Sequence, residues 1–320
     1  MSDNVWRELP KPFFVLAPME AVTDVVFRHV VTAAARPDVY FTEFTNATGW
    51  AAAGDPAIGG RLIKTDDESP IIAQLWGSNP EAMAKMSIRC AELGYDGIDL
   101  NMGCPDSSAV KSGGGAGMIR TPEIATDMIA AAKKSGLPVS VKTRLGYSRV
   151  DEWETWLAHI LKQDVVNLTI HLRTKKEMSK VPAHFELIPE IKKLRDDIAP
   201  QTLLTINGDI KDRAHCEELA RAYGVDGIMI GRGIFHNPFA FETTPATHSR
   251  DQLLDLLKLQ LDLHDKYSRD IAPRKFEPLK RFFKIYVRDF DGAAELRDQL
   301  MHTKSTDEVR EVLSQSSVLY

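Results

Sequence analysis

The sequence predicts an α/β fold, a (β/α)8 TIM barrel followed by a small helical bundle. Two observations carry that prediction. Eight short apolar runs recur along the first three-quarters of the chain, and most are separated by stretches with apolar residues at helical spacing. From about Thr243 the pattern changes to helix alone. Near-continuous apolar strands alternating with helices imply a parallel sheet covered by helices, and eight such units favour closure into a barrel over the runner-up, a doubly wound open sheet.

In chain order, the predicted strands are 13–19, 39–44, 71–77, 97–104, 138–145, 165–173, 202–208 and 227–233. Helical spacing marks 80–93, 121–135, 151–163, 185–197 and 212–223 between them. The small and polar residues of 243–249 read as a linker, and Ser249 or Asp251 is placed to cap the next helix. We therefore expect a catalytic barrel over 1–243 and a helical domain over 244–320. Its predicted helices are 250–267, 278–289, 293–301 and 306–314.

Composition narrows the class. The 320 residues are 43% hydrophobic and 27% charged, ordinary for a soluble globular chain, and no run approaches the roughly 18 apolar residues of a membrane span. The start, Met1-Ser2-Asp3-Asn4, lacks a basic segment leading into an apolar one, so no signal peptide is read. Cys90, Cys104 and Cys216 are odd in number and show no CxxC spacing, which points away from a disulfide framework and from a zinc site. We expect a cytoplasmic, metal-free monomer. The net charge of −5 argues against indiscriminate nucleic-acid binding but leaves room for a local basic face.

The active site of such a barrel lies at the C-terminal ends of the strands, and here those ends are polar. The first ends in Ala17-Pro18-Met19-Glu20, the third carries Gln74, the fifth Lys142 and Arg144, and the sixth His171 and Arg173. The seventh and eighth end in Asn207-Gly208-Asp209 and Gly231-Arg232-Gly233. The fourth is the most informative. Its apolar run ends abruptly in Asn101-Met102-Gly103-Cys104-Pro105, where Gly103 permits a tight turn, Pro105 directs the exit, and a thiol is presented at the strand end.

Each of these residues has a plain structural explanation: a buried apolar-like cysteine, a solvated lysine, a satisfied core histidine. Their convergence on one face outweighs those explanations. Glycines after strands seven and eight, with Arg232, read as a phosphate site. Lys142 is suited to negative charge on a cofactor ring and Gln74 to a ring edge, so together they describe a flavin mononucleotide pocket. The glycine-rich 112–117 breaks the GxGxxG spacing and reads as a flexible active-site loop beside Cys104. In the tail, Lys280, Lys284 and Arg288 recur every fourth position, with Arg274, Lys275 and Arg281 nearby. That stripe suits a phosphate backbone, although an ordinary solvated helix face explains it equally.

These residues resemble the tRNA-dihydrouridine synthase family over nearly the whole chain. The resemblance rests on Ala17-Pro18-Met19 followed by Val22-Thr23-Asp24 and Phe27-Arg28, on Gln74, on Asn101 to Pro105, on Lys142 with Arg144, on His171 with Arg173, and on the Asn207-Gly208-Asp209 and Gly231-Arg232 groups. Glu20 after Pro18-Met19 is similar to a bacterial branch of that family. The resemblance implies a flavoenzyme that reduces uridine in tRNA, with NADPH as electron donor. Pro18, Met19, Gln74, Lys142, His171, Asn207, Gly208, Asp209, Gly231 and Arg232 would hold FMN, with Glu20 counted beside them. Cys104 would be the proton donor, its thiol mostly protonated at neutral pH given an ordinary pKa of about 8.5. Asn101, Arg173 and Arg144 would hold the uracil, which must leave the tRNA stack.

Two features depart from the family pattern. Asp106-Ser107-Ser108 follow Pro105 where family members usually carry an early lysine, and Leu172 replaces a small residue between His171 and Arg173. Two alternatives remain open at this level: an FMN-dependent dehydrogenase of a free pyrimidine or enone, and a non-catalytic tRNA-binding protein.

Overall fold

Each predicted apolar run becomes a strand or part of one. In the computed structural model, which describes residues 4–58, 60–271 and 273–316, the strands are β1 (Phe13–Leu16), β2 (Tyr40–Phe41), β3 (Thr45–Asn46), β4 (Ile71–Trp76), β5 (Gly97–Met102), β6 (Val139–Arg144), β7 (Asn167–His171), β8 (Leu203–Asn207) and β9 (Gly227–Ile230). Residues 1–3 of the start considered above, and Ala272 in the basic tail segment, lie outside the described residues. All pairings are parallel, in the order β1, β9, β8, β7, β6, β5, β4, β2, with β3 also on β4. Closure comes from a parallel bridge between Val15 and Val39, where the Leu16 N–H donates to the Val39 carbonyl at 3.1 Å. The barrel is the predicted one.

The second predicted strand differs from expectation, because it is broken into β2 and β3. Phe41 pairs with Ile72 and Thr45 with Leu75, so four steps on one strand oppose three on the other, which is a bulge of one residue. Its cause is Thr42, whose hydroxyl takes the Gln74 N–H at 3.0 Å and donates to the Glu43 carbonyl at 2.7 Å.

Alternation along the strands divides inside from outside. Phe13, Val15, Phe41, Ile72 and Met229 pack into the base of the barrel, where Trp6 from the short helix Val5–Glu8 meets the Phe13 ring edge-on at 5.8 Å. Higher in the barrel the interior turns polar, with Gln74, Asp99, Ser140, Thr169 and Thr205 all fully buried. The opposite strand faces join the surrounding helices in one apolar core that runs on into the C-terminal helices.

The barrel helices follow their predicted positions, as in Pro80–Glu92 capped by Asn79 and Arg213–Tyr223 capped by Asp212. Val25–Ala34, after β1, was not anticipated; Asp24 caps it by accepting the Phe27 N–H at 2.9 Å. It is the surface on which the tail docks. Phe27 and Phe282 meet at 4.7 Å, His29 and Tyr267 hydrogen-bond at 3.1 Å, Arg281 donates to the Ala21 carbonyl at 3.1 Å, and Arg274 pairs with Asp24.

Of the two proposed caps for the tail, Ser249 is the one used. It forms a capping box with Gln252 at the head of Arg250–Asp270. The predicted helix over 278–289 is corrected: a 3-10 helix, Glu277–Phe282, leads into a single turn, Phe283–Tyr286. Tighter winding places Leu279 and Phe282, three residues apart, on one buried side. The basic stripe therefore does not form. Lys280 is largely covered and pairs with Glu277, and Arg288 lies beyond the helix beside Asp289. No helix among the described residues is long and apolar enough to cross a membrane.

Candidate active site

The polar strand ends surround one cavity of about 800 Å³ at the C-terminal mouth of the barrel. Pro18, Met19, Gln74, Asn101, Cys104, Lys142, Arg144, His171, Asn207, Gly208, Asp209, Gly231 and Arg232 all line it. Glu20 and Arg173 do not. Glu20 pairs with Arg61 and faces a second groove of about 390 Å³, which shares only Phe44 and Cys104 with the first. Arg173 is buried behind the wall, its guanidinium spent on the Val181 carbonyl at 2.6 Å and on Asp209. Of the three residues expected to hold the uracil, it is the one that does not line the cavity.

Cys104 is held by its own turn. Asn101 Oδ1 accepts the N–H groups of Gly103 at 3.1 Å and Cys104 at 2.9 Å, while Gly103 runs close enough to Thr143 that a Cβ there would lie 3.2 Å from backbone. The carbonyl of Asn101 is thus committed to the chain and not to a substrate edge. Residues 112–117 also differ from the predicted flexible loop. Gly115–Arg120 is a 3-10 helix with Gly115 to Ile119 buried, and the Ala116 N–H donates to the Cys104 carbonyl at 2.9 Å. Where the family pattern places a lysine, Asp106 caps the helix Ser107–Lys111, accepting the Ser108 N–H at 2.8 Å.

Electrostatics follow from burial. Desolvation pushes the Cys104 thiol above its ordinary range; a hydrogen bond from the Asp106 backbone opposes the rise, as do Arg144 and Lys142, while the Asp106 charge adds to it. It stays protonated at neutral pH. Desolvation and the neighbouring Arg144 bring the Lys142 ammonium down to about 8, and desolvation brings Arg144 down to about 10. Arg144 is anchored by donating to the Gly103 carbonyl at 2.7 Å and the Met178 carbonyl at 3.0 Å. His171, buried among Arg144, Lys142, Arg173 and Arg232, is held well below its usual range and is neutral. Arg173 Nη1 lies 3.5 Å from His171 Nε2, and His171 Nδ1 is buried without a hydrogen-bond partner among the described residues.

The far wall is backbone-rich. Gly208 at φ +127° and Asp209 at φ +49° turn the chain after β8, and Asp209 accepts from Arg173, from the Ala183 N–H at 3.0 Å and from Arg232 at 3.3 Å. Asn207 donates to the Met229 carbonyl at 2.7 Å and accepts from Lys142 at 3.3 Å. Lys211, His236, Asn237 and Phe44 also line the cavity and were not anticipated. The polar run Asp209-Ile210-Lys211-Asp212 was a readable signal for the first, and Phe44 is the last residue of the predicted strand 39–44, an apolar strand end among polar ones.

A family model for dihydrouridine synthase (Dus) matches residues 15–319. "Probable tRNA-dihydrouridine synthase 2" of Bacillus subtilis (strain 168) is 65% identical over 314 residues, 98% of this chain and 96% of that protein. A "Probable tRNA-dihydrouridine synthase" of Staphylococcus aureus (strain COL) is 58% identical over 316 residues, again 98% and 96%. Among solved structures, a 2-naphthoyl-CoA reductase complex shares the barrel fold with TM-score 0.53 and 9% identity, covering 75% of this chain and 52% of that one. A match that spans both barrel and tail at this identity means that the chain belongs to the dihydrouridine synthase family.

Proposed function

We propose that this protein reduces the C5–C6 double bond of uridines in tRNA, using FMN held in the barrel mouth and NADPH as the source of electrons, in the cytoplasm. The observation that carries the reading is one cavity lined together by a protonated thiol, Cys104, by the cationic Lys142, Arg144 and Arg232, and by Gly208 and Gly231. Its size, about 800 Å³, falls in the roughly 300–1,000 Å³ range of small-molecule sites.

The residues present fit a flavin phosphate and ring. His171 Nδ1 is buried without a hydrogen-bond partner among the described residues, and Gly208 and Gly231 bring backbone to the cavity wall. Lys142 supplies positive charge at mid-barrel. Gln74, Asn207, Asp209, Arg232, Pro18 and Met19 complete the holding set, whereas Glu20 faces the neighbouring groove. When bound, the flavin supplies the hydride that reduces uracil at C6.

The chain's own part is proton supply and positioning. Cys104 would donate its thiol proton to C5, and burial favours that role by keeping the proton on sulfur at neutral pH. Arg144, anchored to the Cys104 turn through the Gly103 carbonyl, is the group for a uracil carbonyl. Arg173 acts one step back, fixing Asp209 and lying against the His171 ring. An extruded base reaches this mouth without the duplex entering it. The test is direct: purified protein with FMN, NADPH and an unmodified tRNA transcript yields dihydrouridine detectable by nucleoside mass spectrometry. Reduction of free uridine in preference to tRNA would overturn the substrate assignment.

A further inference from the structure

Asp99 lies one layer below the cavity and is fully buried. Register explains its neighbours: Asp99 pairs with Gln74 on β4 and with Ser140 on β6, while Asn101, two residues on, pairs with Lys142 in the layer above. Period-two alternation points Asp99 and Asn101 to the same side of the strand. Ser140 Oγ donates to one carboxylate oxygen at 2.6 Å and Gln74 Nε2 to the other at 2.7 Å. Gln74 Oε1 accepts from Asn101 Nδ2 at 3.0 Å, and Asn101 Oδ1 accepts the backbone N–H groups of Gly103 and Cys104. The four residues form one unbroken donor–acceptor chain.

Both ends of that chain are chemically fixed. A carboxylate only accepts and a backbone N–H only donates, so each amide has one orientation compatible with both ends. We infer that Asp99 is a positioning residue for Cys104, acting through Gln74 and Asn101 to lock the thiol-bearing turn and to leave each amide one N–H for the cavity. Its consequence for ligand chemistry is specific. Gln74 and Asn101 meet the bound ring as donors, matched to carbonyl oxygens and ring nitrogens rather than to N–H groups. Burial raises the Asp99 carboxyl, but only to about 6, because Ser140, Gln74 and Lys142 oppose the rise. At neutral pH it is ionised, and charge-assisted hydrogen bonds are the stronger kind.

This inference deepens the proposed reduction and rests on it for the role of Cys104, but its test needs no turnover. The experiment compares amide hydrogen exchange of residues 101–104 in the flavin-loaded parent and in Asp99→Asn, which can donate as well as accept and so removes the fixed end. Exchange of the Gly103 and Cys104 amides should accelerate about tenfold, with kcat on tRNA falling by a similar factor and KM for tRNA little changed. Unchanged exchange in a folded variant would overturn the relay. Should Asp99→Asn not fold, Gln74→Met cuts the same chain above the carboxylate, with the same two outcomes. Faster exchange in a protein whose parent never reduces tRNA would leave the relay standing and sink the functional reading instead.

Discussion

Gly115 sits so close to Cys104 that a Cβ built on it would lie 2.7 Å from the Cys104 carbonyl oxygen, and its φ of +53° is in the region that favours glycine. Gly115→Val should cost about 1–3 kcal/mol of stability and shift the thiol from its place. Thermal unfolding and tRNA reduction measured together check it. A variant with parental Tm and parental turnover would show that this turn does not hold Cys104.

Cys104→Ala should keep bound flavin, since the flavin-holding residues named above lie elsewhere on the cavity wall, while losing at least about 100-fold in tRNA reduction. The parent's pH profile carries the same assignment. Because burial raises the thiol above its ordinary range, the protonated acid persists through neutral pH and is lost only in the alkaline range. Turnover that stays undiminished while the thiol ionises at alkaline pH would contradict the proton-donor role.

Lys142 brings a different pH limb. With its ammonium brought down to about 8, the positive charge is present below that pH and lost as pH rises through it. Flavin affinity of the apoprotein should weaken across that window, and Lys142→Gln should bind more weakly and lose the dependence. Fluorescence titration of FMN at pH 6.5 and 9 measures both.

Arg28 and Glu68 form a fully buried pair, with Nε to Oε1 at 2.6 Å and further donation from Arg28 to the Thr23 and Ile63 carbonyls at 2.8 Å each. Glu68→Ala leaves the guanidinium buried without its counter-charge and should cost about 3–5 kcal/mol. Urea unfolding reads this directly. The pair ties the segment after Met19 to the loop before β4, so a loss of flavin affinity should accompany it.

Truncation after Thr243 should not yield a free barrel. The apolar core is continuous from the barrel helices into the tail, and Phe27 would be stripped of its 4.7 Å contact with Phe282. Aggregation or a markedly lower Tm is expected, by size-exclusion chromatography and calorimetry. A soluble truncated barrel that retains flavin would mean that the two units are energetically separate.

Much of the site was legible because a parallel barrel converts local pattern into location. An apolar run that stops in polar residues is a strand reaching the mouth, so Cys104, Lys142, His171, Asn207 and Arg232 were found from their own neighbours in sequence. The fold class followed from the same alternation. Tertiary structure alone decided which polar residue faces the cavity and which stands behind it: Arg173 is drawn off by Asp209 and Glu20 by Arg61. It also broke the second strand at a bulge caused by one threonine hydroxyl, converted a glycine-rich loop into a packed support for Cys104, and wound the basic tail too tightly for a stripe. The reason is range. Periodicity and turn chemistry act over a few residues, whereas the hydrogen bonds that aim Gln74, Asn101 and Asp99 join strands 25 or more residues apart and exist only once the sheet has closed.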